Sequence, residues 1–188
     1  MSDGILRQRE RALEEAFFAA HNNALLQKIR DAEATVSRKA ALSAAAGITD
    51  DALLDQLVTL NLEPQTMAAL TCVPLVLVAW ADGSLDAREK QAVLDGAREA
   101  GLQDKDAAWQ LLAGWLHSAP APALEDAWRS YVKTLTAALP PAEQATLKRG
   151  ILDRTRRVAE AAGGFLGLGG ISPVEKAVLT RLEQAFAS

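Results

Sequence analysis

Cysteine is nearly missing from this 188-residue chain: Cys72 stands alone, so no disulfide can form within it, which excludes a small disulfide-stapled scaffold. Set in the apolar run TCVPLVLVAW, that thiol reads as a small core side chain rather than a reactive group. Val and Ile are scarce too, 10 and 5 against 38 Ala and 28 Leu, and aromatics make up only 5%. Sheets draw on β-branched and aromatic residues whereas Ala and Leu favour helix, so the composition excludes a sheet protein. There is no positive excess: 20 Lys+Arg face 24 Asp+Glu, a net charge of -4, which offers no long-range attraction for phosphate backbones and excludes nucleic acid as an expected partner. Long hydrophobic runs are lacking. The most apolar window, 67–81, has 15 residues and contains Pro74, short of the roughly 20 that a membrane helix needs, so no integral membrane segment is expected. The start, MSDGILRQRERALEE, is charged and has no apolar signal core, which reads as a cytoplasmic chain. No G-x-S-x-G elbow and no cysteine with a histidine partner is visible, so no enzyme is expected.

What is present is a globular balance of 49% hydrophobic and 23% charged residues arranged at helical periods. From Leu6 to Ala46 there is neither Pro nor Gly, and Leu13, Phe17, Ala20 and Ala24 form one stripe while Phe18, Leu25 and Ile29 form another. Two apolar faces on one helical stretch predict packing on both sides, with His21-Asn22-Asn23 the weakest helix-forming point. This N-terminal segment, 1–46, is expected to stand apart from a helical domain over 47–188 and to serve self-association or a protein partner. Within the domain, Asp50 can cap a helix striped Leu53, Leu57, Leu60, and Pro64 can open a helix to about Ala81 that Pro74 should bend. Further helices run from Asp86 to about Ala100, from Asp104 or Asp106 to near His117, over the stripe Leu124, Trp128, Tyr131, Leu135, Ala138, over Leu147 to Ala162, and from Pro173 to about Phe186. The reading is all-α, seven or eight helices.

Two segments share a grammar. In DGSLDAREK, from Asp82, and LGGISPVEK, from Leu168, a glycine turn precedes a capping residue, Asp86 or Ser172, and then a glutamate three positions on, Glu89 or Glu175. Such a pattern is a capping box: the cap accepts from free N–H groups of the first turn and the glutamate reaches back to the cap's own N–H. On that reading the glutamates need no ligand, and Asp82 makes a turn bond over Gly83.

The stretches VAWADGSLDAREKQAVL and GLGGISPVEKAVLTRL also resemble the tellurite-resistance TerB-like family, in which an acidic-glycine turn followed by a helix glutamate recurs in both halves of a helical domain. The resemblance covers about Met67 to Phe186. It implies a bacterial, stress-associated, all-helical module whose motif acids can bind a divalent metal; the module is expected to work by binding protein partners, with a weak divalent-metal site between its two motifs. Position by position, Asp82 matches the turn aspartate, Glu89 the first helix glutamate and Glu175 the second, while Leu168 stands where the second motif has its aspartate. Three carboxylates suit a hard cation such as Mg²⁺, Ca²⁺ or Mn²⁺ with waters completing the shell. Zinc does not fit, since one Cys and two His, His21 and His117, form no cluster of zinc-ligand spacing.

Two other features have plainer readings. FLGLGGIS is glycine-rich before a helix but lacks the GK[ST] ending and a preceding strand, so it reads as a turn rather than a phosphate loop. Lys148, Arg149, Arg154, Arg156 and Arg157 read as a solvated helix face, with docking of an acidic partner as the alternative.

Overall fold

Proline and the caps decide where the helices start. Asp50 accepts from the backbone N–H of Ala52 and Leu53, at 2.9 and 3.4 Å, and so opens a helix at Asp51. The computed structural model describes residues 25–163 and 170–187, and within them the secondary structure is helical throughout. The elements are α1 (25–46), α2 (Asp51–Thr59), a 3₁₀ segment (Pro64–Cys72), α3 (Val73–Ala79), α4 (Ala87–Glu99), α5 (Ala107–Trp115), α6 (Ala123–Ala137), α7 (Pro141–Gly163) and α8 (Pro173–Gln184). The expected stripe Leu13 to Ala24, the weak point His21-Asn22-Asn23, and Leu168 lie outside the described residues.

Pro74 acts differently from the expectation of a bend in one long helix. The stretch from Pro64 to Cys72 is 3₁₀, and Pro74 sits in the first turn of α3, where its missing N–H has no carbonyl to lose. α3 is thereby a separate, seven-residue helix, VPLVLVA, buried at all positions but Leu77. It packs against α4, α6, α7 and α8. A helix that is apolar all round belongs at the centre of such a bundle. No single described helix is long and apolar enough to cross a membrane.

Helix ends follow local chemistry as well. α2 and α4 both close with paired bonds from the two residues after the cap. Leu62 N–H donates to Leu57 O and Asn61 N–H to Val58 O; Leu102 N–H donates to Ala97 O and Gly101 N–H to Arg98 O. The left-handed residue this closure requires is Asn61, φ 56°, in one case and Gly101, φ 96°, in the other. The trailing Leu62 and Leu102 are then turned into the core.

The core runs from Leu42 in the last turns of α1 to Ala185 after α8. Lys39 pairs with Asp51 and Asp55 of α2, at 3.0 and 2.6 Å, and fixes the angle at which α1 arrives. On α6 the buried face is Leu124, Ala127, Trp128, Val132 and Thr136. Tyr131 and Leu135 are only half-buried and Ala138 is exposed, so this face is turned from the expected stripe. Trp128 meets Phe186 edge to face, centroids 5.9 Å apart, and so ties α6 to the chain end beyond α8. The side chain of Gln144 in α7 donates to the carbonyls of Thr136 and Leu139, at 2.8 and 2.9 Å, closing the open end of α6 across the Pro140-Pro141 break.

Candidate functional site

The two loop-to-helix motifs fold as their grammar requires. At the start of α4, Asp86 Oδ1 accepts from Arg88 N–H at 2.7 Å and Glu89 N–H at 2.8 Å, while Glu89 Oε2 accepts from Asp86 N–H at 2.7 Å. At the start of α8, Ser172 Oγ accepts from Glu175 N–H at 3.2 Å and Glu175 Oε2 accepts from Ser172 N–H at 2.7 Å. Both capping boxes are closed. The residues before the caps, Leu85 and Ile171, correspond in the two motifs, and both pack on the core.

α4 and α8 each lie against α3 and α7, and this shared support brings their starts together. Glu89 is 7% exposed and Glu175 5%, the two buried carboxylates of the described residues. Burial raises the pKa of Glu89 above the usual glutamate value. The charges of Asp86, Asp82 and Glu175 push the same way, against a bond from Asp86 N–H that lowers it. Glu89 is therefore the common electrostatic neighbour of Asp82 and Glu175. Asp82 itself is exposed, and its Oδ1 accepts from both the N–H and the hydroxyl of Ser84, at 2.9 Å each, across Gly83 with φ 86°. That Asx turn is the reading the D-G-S spacing suggested.

A divalent cation can be tested against these atoms. In its favour, Glu175 Oε1 is buried and has no hydrogen-bond partner, an orphaned carboxylate oxygen within electrostatic reach of Glu89 that a cation would satisfy. Against it, each glutamate already uses Oε2 on its cap and Asp82 Oδ1 is taken by Ser84. Among the described residues no three His, Cys, Asp or Glu side chains converge at metal-holding distances. The fit is partial: two buried carboxylates lie within electrostatic reach of each other, and the third acid, Asp82, is exposed.

The basic face of α7 is mostly engaged within the chain. Lys148 pairs with Glu183 at 3.2 Å, Arg156 with Asp153 at 3.7 Å, and Arg157 with Glu99. Sequence reading missed the bond from Trp80 Nε1 to Trp115 O, 2.9 Å, which joins the end of α3 to the end of α5 just before the Asp82 turn. Nothing local in either segment signals that contact. A shallow groove between α1 and the 3₁₀ segment, lined by Arg38, Ala41, Leu62, Glu63 and Pro64, shares no residue with the acid pair.

Compared with family models, curated proteins and solved structures, the chain finds no match in any of the three.

Proposed function

We propose that this chain is a TerB-like, stress-associated helical module of the cytoplasm that works by binding protein partners and carries out no reaction of its own. A divalent cation, Mg²⁺, Ca²⁺ or Mn²⁺, joins its two loop-to-helix motifs. Glu89 and Glu175 would hold the cation, with Asp82 at the rim. The observation that carries the cation is the orphaned, buried Oε1 of Glu175 next to Glu89. Bound there, the cation supplies positive charge that offsets the repulsion between two buried carboxylates and ties the start of α4 to the start of α8. The partner-binding part is supported by α1, which leaves Leu25, Leu26, Ile29 and Val36 exposed; large contiguous apolar surface marks interaction sites.

A second reading is favoured by the closed capping boxes and the Asx turn at Asp82. It is a metal-free interaction scaffold in which these acids only start helices. Thermal unfolding of the chelated chain, titrated with each cation, separates the two. A ligand that binds only the folded state must raise the midpoint. The cation reading expects a rise that Glu175→Gln abolishes and Asp82→Ala reduces. No shift at millimolar cation leaves the scaffold reading.

A further inference from the structure

Four of the five exposed large hydrophobic side chains of the described residues lie on α1: Leu25 at 51%, Leu26 at 50%, Ile29 at 46% and Val36 at 68%. Three of them, with the exposed Ala32, fall at spacings of four, three and four, Leu25-Ile29-Ala32-Val36, the seam of a coiled coil. In that register Ile29 and Val36 occupy a positions and Leu25 and Ala32 d positions. β-branched residues at a with Leu at d favour two parallel strands. At 100° per residue this seam lies roughly a quarter-turn from the face that carries Thr35, Arg38, Lys39 and Leu42 onto the body. Docking of α1 therefore leaves the seam uncovered.

The flanking charges select the orientation. Lys28 falls at g and Glu33 at the e position of the next heptad, the two positions that face each other across a parallel pair. Neither has an ion-pair partner within the chain among the described residues. In an antiparallel pair e faces e and g faces g, so Lys28 would not meet Glu33. Downstream the seam stops, because Lys39 at the next d position is bound to Asp51 and Asp55.

We infer that α1 pairs with α1 of a second copy of this chain as a short parallel coiled coil, with Leu25, Ile29, Ala32 and Val36 at its centre and Lys28 of each copy paired with Glu33 of the other. The inference rests on the reading of the chain as an interaction module and not on the cation. So short a seam gives a weak, concentration-dependent dimer, with a Kd between about 1 μM and 1 mM.

Sedimentation velocity on the full chain across that range tests it. The wild type is expected to move from a mass of 20.0 kDa toward twice that value. Ile29→Glu is expected to stay monomeric with an unchanged unfolding midpoint, because the side chain is exposed in the single chain. Lys28→Glu and Glu33→Lys each shift the transition to at least tenfold higher concentration, and the double variant restores it. A wild type that is monomeric throughout overturns the inference and leaves the module reading to a partner of another kind. A dimer indifferent to Ile29→Glu overturns the seam. Single charge reversals without effect overturn the parallel register. A monomer in which Ile29→Glu lowers the midpoint also overturns it, since the seam is then covered by the chain itself. The cation titration is read separately, so its failure leaves each of these outcomes unchanged.

Discussion

The carboxylates of Glu89 and Glu175, 86 positions apart in the chain, stand close enough for the charge of one to raise the pKa of the other. Each is anchored by a 2.7 Å bond from the backbone N–H of its own cap. Two similar capping boxes thus place two buried glutamates within electrostatic reach of each other, on helices that share α3 and α7 as support.

This pairing has a consequence in pH. Burial, then the neighbouring acids, raises the pKa of Glu89, so its proton is held more tightly in the folded than in the unfolded chain. Its contribution to stability is fully present below the unfolded value, about 4.3, and is lost as pH rises through the raised folded value. Glu89→Gln keeps an oxygen to accept from Asp86 N–H and removes that dependence. In a pH series of urea unfolding, stability of the variant minus that of wild type is expected to climb upward from about pH 4.3 and then level off. A flat difference would show that no proton is linked at Glu89.

The caps themselves are measurable. Ser172→Ala leaves Glu175 N–H without its acceptor, and Asp86→Ala strips two N–H groups of theirs. Each is expected to cost about 1 kcal/mol, seen as a lower urea midpoint at neutral pH. Two variants with wild-type midpoints would mean that water satisfies these groups equally well.

α1 is expected to divide into a docked and an undocked half. Leu42 is fully buried, and Leu42→Ala should cost about 2–5 kcal/mol through lost burial and the cavity left behind. Val36→Ala, at an exposed position two turns earlier, should leave unfolding of the dilute chain unchanged within about 0.5 kcal/mol. Equal effects would place α1 wholly on or wholly off the core.

Trp80→Phe removes the indole N–H that donates to Trp115 O. The half-buried carbonyl loses its partner, and a cost of about 1 kcal/mol is expected, read by chemical denaturation. If the midpoint holds, the α3 to α5 joint depends on ring packing alone.

Cys72 is fully buried, and burial pushes its thiol pKa up. The native chain is expected to resist a thiol-specific reagent at pH 8 and to label fully once denatured, since the thiolate is the reacting form. Rapid labelling of the folded chain would contradict the burial.

Much of the local structure was legible because its causes are local. Asp50, Asp86 and Ser172 cap helices by bonds reaching two or three residues along the chain, and Gly101 ends one through its own backbone freedom. Where neighbours from elsewhere intervene, local periodicity no longer decides which face is buried. The buried face of α6 includes Val132 and Thr136 rather than Leu135 and Ala138, because α2 and α3 set the angle from which it is covered. Pro74 was legible as an interruption. That it begins a new α-helix after a 3₁₀ segment depends on how the apolar run must turn to stay in the centre.

That the chain is helical, and where α4 and α8 begin, is written in the residues themselves: in the Ala and Leu content and in the capping boxes at Asp86 and Ser172. Those conclusions rest on composition and on interactions spanning three or four residues. It took the packing of distant helices to bury Glu89 and Glu175 within electrostatic reach of each other while Asp82 stays exposed, and to leave Leu25, Ile29 and Val36 exposed while Leu42 is buried. Both outcomes come from which helices α3 and α7 support and how Lys39 holds α1 against α2. Contacts of that range combine residues whose separation along the chain leaves no periodic trace.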